Sequence, residues 1–102
     1  MQVTIDDHGS TARVVLAGRL DIAGADKVAL PLATVSGAKD TVLIDMSGVT
    51  FIASIGLRHL VMAAKAVGRR GGSLKLINPG PPVVEVITAA GLADMLPIEQ
   101  RA

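Results

Sequence analysis

The chain has 102 residues, which suits one domain burying roughly two-thirds of its unfolded surface, and no second domain is expected. Half of the residues are hydrophobic but Phe51 is the only aromatic, so the core is aliphatic and stacking on bases or sugars is disfavoured. A net charge of +1 gives no field to gather nucleic acid or anionic membrane, and the absence of cysteine excludes disulfides and thiolate metal sites.

In chain order, "QVTI" and "ARVVLAG" are rich in β-branched residues, and "DDHGST" between them carries the chemistry of a turn. Two strands are expected there. "RLDIAGADKVALPLATV" then sets Leu20, Ile22, Ala25, Val28, Ala29 and Leu32 near helical spacing, with Asp21 as N-cap and Pro31 placed to kink or shorten the helix. "TVLIDM" reads as a buried strand ending at Asp45, and "MSGVTFIAS" as the loop that leaves its carboxyl end.

From Ser54 the spacing of Leu57, Leu60, Val61, Ala64 and Val67 is that of an amphipathic helix, with Arg58, Met62, Lys65 and Arg69 on the other side. Ser54 is the expected N-cap, and Leu57 three residues later leaves no capping box. "GRRGG" ends that helix, and "SLKLI" is a further strand. In "NPGPPVVEVITAAGLADML", Asn78 is the expected cap, the prolines fit a first turn, and a last helical turn runs towards Leu96. The order predicts an α/β fold: a mixed sheet of about four to five strands flanked by three to four helices, with right-handed crossovers between its parallel strands. Functional loops then gather at the carboxyl ends of the strands.

No catalytic constellation is visible. "VLID" resembles a nucleotide-binding strand but no GxxxxGK[ST] precedes it, His8 and His59 have no ligand-spaced partners, and Ser36, Ser47, Ser54 and Ser73 lack a GxSxG elbow. Asp6 and Asp7 are adjacent rather than opposed. "VTIDDHG" with "VLIDMS" is similar to a two-component receiver, yet a strand follows the acidic pair where a receiver has a helix. Arg58, Lys65 and Arg69 form either a phosphate-binding stripe or a solvated face, and Met62 among them suits a protein contact or partial cover by neighbours. No cofactor or metal is expected, nor direct nucleic-acid binding. The N-terminus lacks the regions of a signal peptide and no apolar run spans a bilayer, so a cytoplasmic protein without membrane insertion is expected.

Three segments, "VVLAGRLDIAGA", "VLIDMSGVTFIASIGLRHL" and "GGSLKLINPGPPVVEVITAAGLADML", together resemble the STAS domains of bacterial anti-sigma-factor antagonists, in family order and over nearly the whole chain. The resemblance implies one STAS domain over residues 1–102, an anti-sigma factor that is also a serine kinase as partner, and a PP2C-type phosphatase as a further one. It implies phosphorylation at Ser54, with Gly56 as the motif glycine and Leu57 after it. Ala53 stands where the family usually has Asp, and Ile55 where it has a second Ser or Thr. The implied partner surface comprises Asp21, Ser47, Ile55, Gly56, Arg58, Met62 and Lys65. Those departures leave open a constitutively active antagonist, or a STAS accessory subunit of a transporter or sensory complex.

Overall fold

A computed structural model describes residues 1–101. Strands β1 (Gln2–His8), β2 (Thr11–Leu20), β3 (Thr41–Ile52), β4 (Ser73–Ile77) and β5 (Ile98–Glu99) form one sheet in the order β1-β2-β3-β4-β5. β1 and β2 are antiparallel across a two-residue turn, and the remaining pairs are parallel. Helices α1 (Ile22–Ala38), α2 (Ser54–Arg69) and α3 (Pro81–Ala89) supply the crossovers. The expected mixed sheet with helices is the one observed.

Alternation decides which face of the sheet is covered. Ala12, Val14 and Leu16 of β2, Val42 and Ile44 of β3 and Leu74 and Leu76 of β4 join one core with Val28, Leu32, Leu60, Val67, Val83 and Ile87 of the helices. Each fully buried leucine in that set contributes about 1.5 to 3 kcal/mol of transfer free energy. The residues between them, Thr11, Arg13 and Val15 on β2, are only half-buried on the other face.

Four local expectations are corrected. β3 does not end after Met46: it continues to Ile52, paired with β2 through two register shifts, between Val15 and Ala17 and between Gly18 and Arg19. The β-branched Val49, Thr50 and Ile52 favour that extension, and each shift adds a residue on β3 and re-aims the strand end. α1 is not shortened at Pro31 but runs through it to Ala38, because packing of Leu32 and Val35 outweighs the lost backbone bond. α3 is capped by Gly80 rather than Asn78, which takes a positive φ of 53° and accepts the Arg101 N–H at 2.6 Å. Ile22, counted in the apolar stripe of α1, is 74% exposed at the helix start. The segment around Leu92 to Leu96 closes one turn, with Leu96 N–H donating to Leu92 O at 2.9 Å.

Candidate functional site

The starts of α1 and α2 meet at the end of β2. The Ala53 N–H donates to Leu20 O at 2.9 Å, which ties the entry of α2 to the last residue of that strand. Two glycines let the helices sit close. A Cβ at Gly24 would lie 2.2 Å from Arg19 O, and one at Gly56 would lie 2.6 Å from Leu20 Cγ and 3.0 Å from Leu20 O. Gly56 therefore has a packing role whatever else it does.

Asp21 caps α1 as expected: its carboxylate accepts the Gly24 N–H at 2.9 Å, and Asp21 O accepts from Ala25. That N–H, with help from the Arg19 guanidinium 3.5 Å away, holds the carboxyl below its ordinary value. α2 begins differently. Its N-cap is Ala53, with extended backbone and no side-chain bond, so Ser54 is the first helical residue and not the cap. The strand sets this register, since the Ala53 N–H is fixed on Leu20 O. Leu57 is the first residue of α2 whose N–H reaches an acceptor of the turn, Ala53 O at 3.1 Å, leaving the earlier N–H groups without a backbone acceptor among the described residues at the positive end of the helix dipole.

Ser54 and Arg58 are exposed and Ile55 is half-buried. Sequence reasoning missed two exposed apolar side chains at the ends of the adjoining elements, Ile22 at the start of α1 and Phe51 near the end of β3. Phe51 is 39% exposed and carries the Arg19 guanidinium over its ring at 4.3 Å. A lone aromatic beside Ser54 was a signal, but only the strand pairing of Arg19 with Phe51 creates the stack. The first turn of α2 thus offers the Ser54 hydroxyl, the half-buried Ile55, the Arg58 cation and N–H groups without a backbone acceptor.

Ser47 is held elsewhere. Its hydroxyl donates to Asp45 Oδ1 at 2.7 Å and its N–H to the same oxygen at 3.0 Å, while Arg13 Nη2 lies 2.5 Å from Oδ2. Burial raises the Asp45 pKa, but the Ser47 donors and the Arg13 guanidinium outweigh it and hold the carboxyl below its ordinary value. Ile44 and Met46 on either side point into the core, so Asp45 belongs to the sheet face away from the helices. Met62 and Lys65 lie farther along α2 and line a groove of about 440 Å³ against α1. The expected contact residues thus divide among three places: Asp21, Ile55, Gly56 and Arg58 with Ser54, then Ser47 alone, then Met62 with Lys65. Among the described residues no group of His, Asp and Glu could hold a metal ion, and no helix is long and apolar enough to cross a membrane.

The anti-sigma-B factor antagonist of Bacillus subtilis is 26% identical over 100% of this chain and 94% of its own length. The anti-sigma-F factor antagonist RsfA of Mycobacterium tuberculosis is 24% identical over 96% of this chain and 79% of its own. The solved structure of the anti-sigma factor antagonist SpoIIAA in its unphosphorylated form superposes with a TM-score of 0.85 at 20% identity, covering 99% of this chain and 89% of that one. The murine Slc26a9 anion transporter contains a similar fold, with a TM-score of 0.76 at 18% identity over 95% of this chain and 17% of that one. A family model described as "Mlab, STAS domain" matches residues 3–97, and the chain belongs to the STAS domain family.

Proposed function

We propose that this protein is an anti-sigma-factor antagonist: a non-catalytic cytoplasmic switch that binds an anti-sigma factor and thereby releases a sigma factor. The names of its relatives support the class. The observation that carries the mechanism is Ser54, exposed at the uncapped start of α2 on the same helix as the half-buried Ile55 and the exposed Arg58. A partner covering that surface gains apolar contact from Ile55 and can place acceptors on the first-turn N–H groups that the chain leaves unpaired. Asp21 contributes at the rim as the cap of the neighbouring helix.

Modification of Ser54 would switch this contact. An anti-sigma factor acting as a serine kinase transfers the γ-phosphoryl of ATP to the Ser54 hydroxyl oxygen, breaking the bond to ADP and taking the hydroxyl proton. The product carries about 1.5 to 2 negative charges. Helix N-termini favour anions, so the fold persists, while the same charge buried under a partner must be desolvated and weakens binding. A PP2C-type phosphatase would reset the switch. Ala53 supplies no carboxylate to orient the hydroxyl, so modification is slower than in a relative with Asp at that position.

Incubating the protein with its cognate anti-sigma factor and ATP, then locating phosphate by mass spectrometry, tests the control step. Phosphate on Ser54 with dissociation of the complex is expected. A stable complex with Ser54 unmodified would leave a constitutively active antagonist. A second reading, an accessory STAS subunit of a transporter or sensory assembly, draws on Ala53 and Ile55 at the modification motif and on the similar fold within an anion transporter. Co-purification with membrane transport components and no anti-sigma factor would decide for it.

A further inference from the structure

Steps of four, three and four residues place Arg58, Met62, Lys65 and Arg69 on one line along α2, about 16 Å long. α2 contains no acidic residue, and no carboxylate pairs with these cations among the described residues. The whole chain carries only +1, so the row is a local concentration of charge.

Beside the row runs the groove of about 440 Å³ between α1 and α2, lined by Ala29, Ala33 and Ala66 with Ala63 and Leu32. Small side chains there let another backbone approach closely. Met62 on one bank is 58% exposed, and Leu30, next to Ala29 on the other helix, is 75% exposed. Ser36, on the α1 wall, is 1% exposed, and its hydroxyl has no partner among the described residues. A buried hydroxyl without a partner is costly, and this wall keeps one.

We propose that the groove is a docking site for an acidic amphipathic helix of a protein partner, separate from the Ser54 surface. Shape selects a helix: the row and the groove extend over three turns of α2, and a helix laid alongside reaches all of it. Its apolar residues, one turn apart, rest over the alanines between Leu30 and Met62. Charge selects an acidic sequence, whose carboxylates face Lys65 and Arg69 on the α2 bank of the groove, whereas a basic helix would meet like charge. A lipid surface fits poorly, because the apolar face of α2, with Leu57, Leu60, Ala63 and Val67, is already buried in the core and is not free to insert.

The test titrates the isotopically labelled full chain with a synthetic amphipathic peptide bearing leucine and alanine on one face and glutamate along its edge. Phosphatidylglycerol vesicles form a parallel arm. Saturable amide shifts confined to residues 29–37 and 59–69 are expected, with affinity falling as salt rises. Lys65→Glu/Arg69→Glu should weaken the peptide about tenfold or more, and exchanging the peptide's glutamates for lysines should restore binding. Ala33→Leu, at an exposed position, should block the groove without touching its charge, which keeps the test intact if the double variant unfolds. No saturable shift, shifts only around Ser54, indifference to the charge reversal, or binding to vesicles alone would overturn the proposal. Shifts confined to the groove leave the reading of Ser54 untouched, because Ser54 does not line it.

Discussion

Two helices start at the same place in this fold and are finished differently. α1 and α2 each press a glycine against the end of β2, and neither has an acidic residue in its first turn. α1 closes its start on itself through the Asp21 carboxylate, whereas α2 has Ala53 in the equivalent position and leaves N–H groups and the Ser54 hydroxyl to the outside. One helix start is completed within the chain and the other is not, and the contact proposed at Ser54 rests on that difference.

The largest expected effect comes from removing the shared seating. Gly24→Ala drives a Cβ to 2.2 Å from a backbone carbonyl, which no side-chain movement relieves, and should cost about 3 kcal/mol by urea unfolding. Gly56→Ala meets the Leu20 side chain first and should cost less, about 2 kcal/mol. Negligible losses at both sites would break the claim that β2 seats both helices. The next effect sharpens the difference in capping. Ala53→Asp should stabilise by about 1 kcal/mol by supplying the absent cap, while Asp21→Ala should lower the melting temperature.

Acid should expose the same asymmetry. The folded pKa of Asp21 and of Asp45 lies below the ordinary 3.8, so the unfolded chain takes up protons before the native one does. Their stabilisation is therefore complete above about pH 5 and is lost as pH falls through 3.8 towards the depressed folded values. Melting temperatures between neutral pH and that region should fall less steeply in Asp21→Ala and more steeply in Ala53→Asp. The smallest effect is expected from Ser54→Ala, whose stability should stay within about 0.5 kcal/mol of the parent because this hydroxyl is not the cap.

Much of the fold was legible because its signals are local. The 3.6-residue spacing of Leu57, Leu60 and Val67 marked α2, and Asp21 directly before an apolar-periodic run marked a cap. What escaped depends on contacts between distant segments. The continuation of β3 to Ile52 requires β2 as its partner, and that continuation, by fixing Ala53 on Leu20 O, moves Ser54 from the cap to the first helical position. β5 is two residues long, too short to show a period. Ile22 fits a helical stripe by spacing, yet the entry angle of α1 turns it to solvent, and no periodicity carries that angle. Ser47 looked like a companion of Ser54, but its Asp45 partner, on the sheet face away from the helices, holds it apart.

The most direct test of the central claim compares the affinity of the cognate anti-sigma factor for the wild-type chain and for Ser54→Glu by calorimetric titration, with the melting temperature of each recorded alongside. The open start of α2 predicts that Ser54→Glu weakens the complex about tenfold or more while its melting temperature stays within a few degrees of the wild type. Equal affinity for both chains would contradict it, because a charge at an uncovered position leaves the partner undisturbed.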